Sequence, residues 1–287
     1  SSASTSARGV DAERGARQSE QRRGRGRFAG GPVGVSLALA LPPGVPPGRL
    51  RAVNESELRE RTEEVRAAVA EAAGRAGRDP SGVDILPVTK GFSASVVRLV
   101  VGAGFSAVGE NRVGEAERKH AELGELAADV SWHMIGHLQR NKAARAVGLF
   151  DRIDSVDSLR LARRLSADAE SSGRAELPVL VQVNASGEAS KGGFDVASAG
   201  EAVGAIHAMP RLRVRGLMTM APFEASEGEL REVFGQTRRC LEGCRERLSG
   251  FDGSELSMGM SGDFEIAVEE GATQVRLGTA LLGERPD

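Results

Sequence analysis

The sequence predicts an α/β fold, a parallel (β/α)8 TIM barrel, on three observations. From residue 54 onward short apolar runs alternate with longer amphipathic stretches, and strand followed by helix, repeated, makes neighbouring strands parallel. Eight strand candidates can be counted along the chain: DILPVTK, AVGEN, SWHMIG, RIDSVD, PVLVQVN, RVRGLMTM, ELSMGM and QVRLG. The stretch that holds them is about 235 residues long, which suits eight βα units, whereas an open doubly wound sheet more often has about five to seven strands. With 40% of its 287 residues hydrophobic, the chain can bury a large core.

Asn54 and Glu57 stand in capping-box spacing, and Leu58, Val65 and Val69 recur on one side of the helix that follows. Gly74 and Gly77 end that helix, and DPSG turns the chain into the first strand, DILPVTK. SASVVRLVVGAG then leads to AVGEN, RVGEAERKHAELGELA to SWHMIG, and NKAARAVGLF to RIDSVD. DSLRLARRLSADAESSG leads to PVLVQVN, AGEAVGAIHAM to RVRGLMTM, and LREVFGQTRRCLEGCRERLSG to ELSMGM, before QVRLG closes the series. Each connecting stretch repeats its apolar residues at intervals of three to four, as a helix does. Charge-rich stretches such as GEAERKHAEL read as solvated outer faces.

Residues 1 to 53 differ in kind. They are rich in Arg, Gly, Ser and Pro and poor in large apolar side chains, which predicts a disordered extension ahead of a barrel spanning 54 to 287. Eight arginines against three acids in the first fifty residues leave the folded body acidic. Arg22 and Arg23 ahead of VGVSLALAL have the outline of an export signal, but the apolar run is short and PPGVPPG follows it in place of a small-residue cleavage site. A cytoplasmic protein is therefore expected. No run approaches the length of a membrane span.

Composition excludes several classes of function. The 38 basic and 40 acidic side chains give a net charge of −2, so the broad positive field of a nucleic-acid binder is missing. Cys240 and Cys244, one helical turn apart, read as reduced structural thiols. His133 and His137 in WHMIGH have a four-residue spacing that suits zinc on a helix, but the segment reads as a strand, where such positions lie about 13 Å apart. Packing or hydrogen-bonding roles are expected for both, and no metal. No Gly-rich dinucleotide loop, P-loop or nucleophile elbow stands in a fitting context.

Chemistry on a barrel belongs at the C-terminal ends of the strands. The period of two in DILPVTK puts Leu86, Val88 and Lys90 on one face, so an amine closes a buried strand. In VRLG the same parity points Arg276 and Gly278 inward if Val275 and Leu277 pack on helices, and an inward guanidinium needs an acceptor. After the seventh strand, Ser261 or Asp263 can cap a helix with free amides, and Gly278 and Thr279 follow the eighth, where barrels often hold a phosphate. Asn111 ends the second strand. Taken singly, these residues are a solvated amine and ordinary loop glycines. Together they suit an aldehyde that bears a phosphate, and pyridoxal 5′-phosphate has these needs: a lysine, an anion cradle and a partner for its ring nitrogen.

Longer motifs sharpen this reading. VTKG, GENRVGEA, WHMIGHLQRNK, IDSVDS, VQVNASGEASKGGF, RGLMTMAP and LSMGMSGDFEIAVEEGATQVRLGTALLGER closely resemble the pyridoxal phosphate homeostasis proteins, single-barrel relatives of the alanine racemase N-terminal domain. The resemblance runs from about residue 54 to the end and implies a type III-like pyridoxal phosphate fold without the racemase C-terminal β domain. It implies that Lys90 carries the cofactor as a Schiff base, the internal aldimine, and that Asn111 contacts it. Arg276 resembles the arginine facing the pyridine nitrogen, which would keep that nitrogen unprotonated and weaken the ring as an electron sink. Ser261, Gly278 and Thr279 resemble phosphate ligands, and Met218, Ser257 and Met260 resemble neighbours lining the site. Gly262 stands where the family usually has alanine, a change that loosens the loop beside the phosphate.

Two functions share that cofactor. The resemblance implies a carrier that buffers or delivers pyridoxal phosphate, with cofactor-dependent apoenzymes as possible recipients and effects on amino-acid and keto-acid balance. The alternative is an amino-acid racemase, which needs an acid or base on each face of the substrate carbon, and Lys90 supplies only one. Related racemases use a tyrosine opposite it, and this chain contains none. Few residues follow Arg276, so the second domain of a racemase and its dimer contact are not expected, and a monomer is. A third possibility is a barrel enzyme acting on another phosphorylated metabolite.

Overall fold

A computed structural model describes residues 53–188 and 192–285. Its centre is a parallel barrel built from β1 (Asp84–Pro87), β2 (Ala107–Glu110), β3 (Ser131–Met134), β4 (Arg152–Val156), β5 (Leu177–Asn184), β7 (Leu212–Thr219), β8 (Glu255–Ser257) and β9 (Gln274–Leu277). The hydrogen-bonded order is β1-β9-β8-β7-β5-β4-β3-β2. The remaining seam is closed by a parallel bridge between Val88 and Gly109, with the Thr89 amide donating to the Gly109 carbonyl at 3.1 Å. All eight expected barrel strands form. One was not anticipated: β6 (Phe194–Asp195), a two-residue strand that pairs with β5 beside the barrel path.

Helices α2 (Ala94–Gly102), α3 (Val113–Leu123), α4 (Ala143–Leu149), α5 (Leu159–Ser171), α6 (Val196–His207), α7 (Glu227–Arg247), α8 (Phe264–Glu269) and α9 (Thr279–Leu282) follow the strands in turn. Ahead of them α1 (Glu55–Arg75) packs on α8 and α9. Its capping box forms as the sequence predicts, with the Glu57 amide donating to Asn54 Oδ1 at 2.9 Å and the Asn54 amide to Glu57 Oε2 at 3.0 Å. Val53 and Leu58 stand in hydrophobic-staple spacing and are both buried in the main core. The rest of the expected disordered extension, with its export-like run, lies outside the described residues. Among the described residues no helix is long and apolar enough to cross a membrane.

Strand parity divides the apolar residues into two layers. Trp132, Met134, Val275 and Leu277 join the core between strands and helices. Leu86, Val88 and Ile135 form a separate cluster inside the barrel. This is the arrangement that puts Lys90 and Arg276 on the inner side. Two expectations change. His133 and His137 do not share a strand, because β3 stops at Met134; His133 is buried with Nε2 3.2 Å from Ser131 Oγ, and His137 is exposed beside Asp157. The helix GEAERKHAEL is not solvated all round either: Lys119 is 3% exposed, because its ammonium finds three acceptors, two beneath the helix and Glu115 on it.

Candidate active site at the C-terminal mouth

The strand ends frame a cavity of about 430 Å³. Seven of the nine expected residues line it: Lys90, Asn111, Met260, Ser261, Arg276, Gly278 and Thr279. Met218 and Ser257, expected as lining residues, sit one layer deeper; they are register partners on β7 and β8, and both are fully buried. Ser257 instead supports the site from below, its Oγ accepting from Arg276 Nη1 at 3.0 Å and donating to Gln274 Oε1 at 3.1 Å.

Lys90 leaves the end of β1 through a turn in which Gly91 takes φ +80°, a left-handed conformation suited to glycine. The amine is half-buried and makes no hydrogen bond or ion pair with another described residue. Burial first, then the guanidinium groups of Arg285 and Arg276, push its pKa below the usual lysine value. More of it is therefore free amine at neutral pH, the form that attacks a carbonyl carbon.

Arg276 projects from β9 into the interior with 4% exposure. Besides Ser257 it has the Thr219 carbonyl, which accepts from Nη2 at 2.8 Å, and no carboxylate of a described residue touches it. Burial lowers its pKa to about 10, against the upward pull of Asp154 and Asp263. A cation held by neutral partners next to a cavity is suited to an anionic or electron-rich ligand.

Another part of the wall is formed by the loops after β8 and β9. Ser261 Oγ accepts the Ala280 amide at 3.1 Å, tying the two loops together and leaving its own proton available to a ligand. Asp263 occupies the N-cap position of α8 without capping it; its Oδ1 accepts the Met260 amide at 2.5 Å. Asn111 Oδ1, on the opposite wall, is buried without a partner. Its backbone is set by Gly136, where a Cβ would come within 2.4 Å of the Asn111 carbonyl oxygen. An orphaned acceptor, an unpaired amine, an inward guanidinium and two amide-bearing loops fit a phosphorylated ring with an aldehyde and a hydrogen-bond donor.

Sequence reasoning missed three features of this lining. Ile135 shares the inward parity of His133 and was legible by alternation. Arg285 lines the mouth from beyond the last helix, where no strand period reaches it. Phe223, 97% exposed, stands at the rim on the loop after β7. Among the described residues no group of three or more His, Cys, Asp or Glu side chains could hold a metal ion.

A single parallel barrel with a lysine at the end of its first strand and cavity-lining loops after its last two defines a class, and the chain matches the family of the alanine racemase N-terminal domain over residues 61–286. The alanine racemase of Corynebacterium glutamicum shares the fold at a TM-score of 0.60 and 16% identity, with 79% of this chain covering 60% of that one. Much closer is the pyridoxal phosphate homeostasis protein of Pseudomonas aeruginosa, 41% identical over 230 residues, which are 80% of this chain and 96% of the relative. The Escherichia coli protein of the same name is 38% identical over 226 residues, 77% of this chain and 94% of the relative. PipY of Synechococcus elongatus, solved with PLP bound, superposes at a TM-score of 0.70 with 36% identity, covering 79% of this chain and 100% of that one. This chain belongs to the family of pyridoxal phosphate homeostasis proteins.

Proposed function

We propose that this chain binds pyridoxal 5′-phosphate in the C-terminal cavity and holds it covalently through Lys90, keeping the cofactor in reserve or passing it to proteins that need it. The observation that carries the reading is an unpaired, half-buried lysine with a lowered pKa sharing one cavity with a buried arginine that has only neutral partners. The names of the relatives and the bound PLP in PipY support the same ligand.

In this reading Lys90 Nζ attacks the aldehyde carbon and the aldehyde oxygen leaves as water. Ser261, Gly278 and Thr279 receive the phosphate, Asn111 Oδ1 accepts from a donor on the ring side, and Arg276 faces the ring nitrogen. The bound group supplies an electron-withdrawing ring, and a cation beside its nitrogen limits that capacity. No tyrosine, histidine or cysteine lines the cavity among the described residues, and the carboxylate that does, Asp263, is engaged by the Met260 amide in the loop after β8. This favours the carrier over the racemase. Action in the cytoplasm, as a monomer, with pyridoxal phosphate-dependent apoenzymes as recipients, completes the proposal.

The test is the visible spectrum of the protein incubated with pyridoxal 5′-phosphate, for the natural sequence and for Lys90→Ala, followed by borohydride reduction and peptide mapping. An imine band trapped on Lys90 and lost in the variant is expected. A label spread over surface lysines would overturn the reading, and interconversion of D- and L-amino acids would restore the racemase.

A further inference from the structure

Lys119 lies on α3, behind the turn that carries Lys90 and outside the cavity. Its Nζ donates to the Thr89 carbonyl at 2.7 Å, to Glu110 Oε1 at 2.6 Å and to Glu115 Oε1 at 2.8 Å. An ammonium has three protons, and all three are used. The same two carboxylates reach the turn directly: Thr89 Oγ1 donates to Glu110 Oε1 at 2.5 Å, and the Gly91 amide donates to Glu115 Oε1 at 2.5 Å.

These bonds bracket one residue. The Thr89 carbonyl belongs to the peptide plane on the N-terminal side of the Lys90 Cα, and the Gly91 amide belongs to the plane on its C-terminal side. Lys119 grips the first and, through Glu115, the second, and two fixed planes fix φ and ψ of the residue between them. Those two angles set the direction in which the Lys90 side chain leaves the backbone. A flexible four-carbon stem carrying a nucleophile gains most from such restraint, since a misplacement of about 1 Å at a reacting atom can cost about 100-fold in rate. Burying the Lys119 ammonium and the Glu110 carboxylate for chain stability alone is a poor exchange against apolar packing, because their desolvation cancels much of their attraction.

We propose that Lys119 is a positioning residue: by clamping the peptide planes on both sides of Lys90 it aims the Lys90 amine into the cavity. This rests on the reading of Lys90 as the residue that holds the aldehyde. Glu115 is the second arm of the clamp, and Glu110 holds the Lys119 ammonium in place.

The experiment uses the full chain with Lys119→Met combined with Glu110→Gln, which removes the ammonium without stranding a buried carboxylate, and separately Glu115→Ala, at a part-exposed site on α3. Two readouts are taken: amide hydrogen exchange at Gly91 without any ligand, and the rate of imine formation with added pyridoxal 5′-phosphate, mapped by borohydride trapping. In the double variant Gly91 exchange is expected to rise at least tenfold and imine formation on Lys90 to slow by about 10- to 100-fold. Exchange at Val181 and Leu217, in β5 and β7, is expected to stay unchanged, and Glu115→Ala, which removes the acceptor of the Gly91 amide, is expected to raise Gly91 exchange at least as much and to slow imine formation several-fold. A purely structural Lys119 would lower the unfolding midpoint but leave the imine rate of the folded protein within twofold of the natural one, and that result overturns the proposal. If the double variant does not fold, Glu115→Ala decides alone on the same criteria. If the natural protein traps no label on Lys90, the reading of Lys90 fails, while Gly91 exchange still reports whether the clamp exists.

Discussion

The two ends of the barrel interior each hold an inward arginine, Arg276 buried and Arg152 mostly so, and they treat it in opposite ways. At the N-terminal end Arg152 of β4 donates to Asp154 Oδ1 at 2.6 Å and Oδ2 at 2.8 Å, to Gln274 Oε1 at 2.7 Å, and to Glu255. Burial works against its charge, but Asp154 and Glu255 outweigh burial and its pKa rises. At the other end Arg276 has a hydroxyl and a carbonyl, and its pKa falls. The two share a scaffold, since Gln274 and Arg276 are two residues apart on β9, and Glu255 and Ser257 are two apart on β8. The N-terminal end even carries the larger cavity, about 590 Å³ against about 430 Å³. What distinguishes the two ends is thus whether the protein itself completes the inward charge, and on that measure the C-terminal cavity, although smaller, is the one left open to a ligand.

The largest effect expected from breaking this contrast is at Arg152. Arg152→Met strands Asp154 in the interior and removes one partner of Glu255, so urea unfolding should show a loss of about 3–5 kcal/mol. Folded Arg152→Met protein should still take up pyridoxal 5′-phosphate on Lys90. Unchanged stability would show that the N-terminal network is not what holds that end together.

A second test uses acid. Burial, then Arg152, push the pKa of His133 down from 6.5 to about 4, although Asp154 and Asp151 pull it up. The folded chain therefore keeps His133 neutral where the unfolded chain protonates it, and stability present above pH 6.5 drains away as the pH falls toward 4. The size of this contribution is about 3 kcal/mol at full effect. Unfolding free energies across pH 4 to 7 should therefore fall more steeply for the natural protein than for His133→Gln. Parallel curves would mean that the imidazole takes up its proton without disturbing Arg152.

Much of this was legible in the sequence, and the limits were physical. Alternation by two placed Lys90, Arg276 and Gly278 on the inner face, because a strand's side-chain period is fixed by its backbone. The family resemblance implies Met218 and Ser257 as lining residues, but they lie beneath the lining, since depth along the barrel axis depends on strand tilt and stagger, which neither motif nor alternation reports. Lys119 was legible in part: it falls on the stripe of Val113, Ala116 and Leu123, all buried, yet a lysine in a helix full of charges reads as solvated. Its acceptors come from the turn after β1, from β2 and from the helix itself, and only the fold brings these together. Arg285 follows a four-residue helix after the last strand, where no period remains to predict its direction.

The smallest stability change, and the sharpest contrast, is expected at Arg276. A buried base with a lowered pKa is one whose charge the fold holds at a cost, so Arg276→Met should shift unfolding by no more than about 1 kcal/mol in either direction. Ser257 Oγ keeps Gln274 as an acceptor, and only the Thr219 carbonyl loses a donor. Ligand binding should respond in the opposite proportion: without a hydrogen bond from a charged group to the ring nitrogen, affinity for pyridoxal 5′-phosphate should fall by about tenfold or more. Denaturation and spectroscopic titration of the two arginine variants together decide the matter. Arg152→Met should lose stability and keep its ligand, and Arg276→Met should keep its stability and lose affinity. If both variants lost stability alike, Arg276 would be a structural cation in the manner of Arg152, and its place in the cavity wall would owe nothing to a ligand.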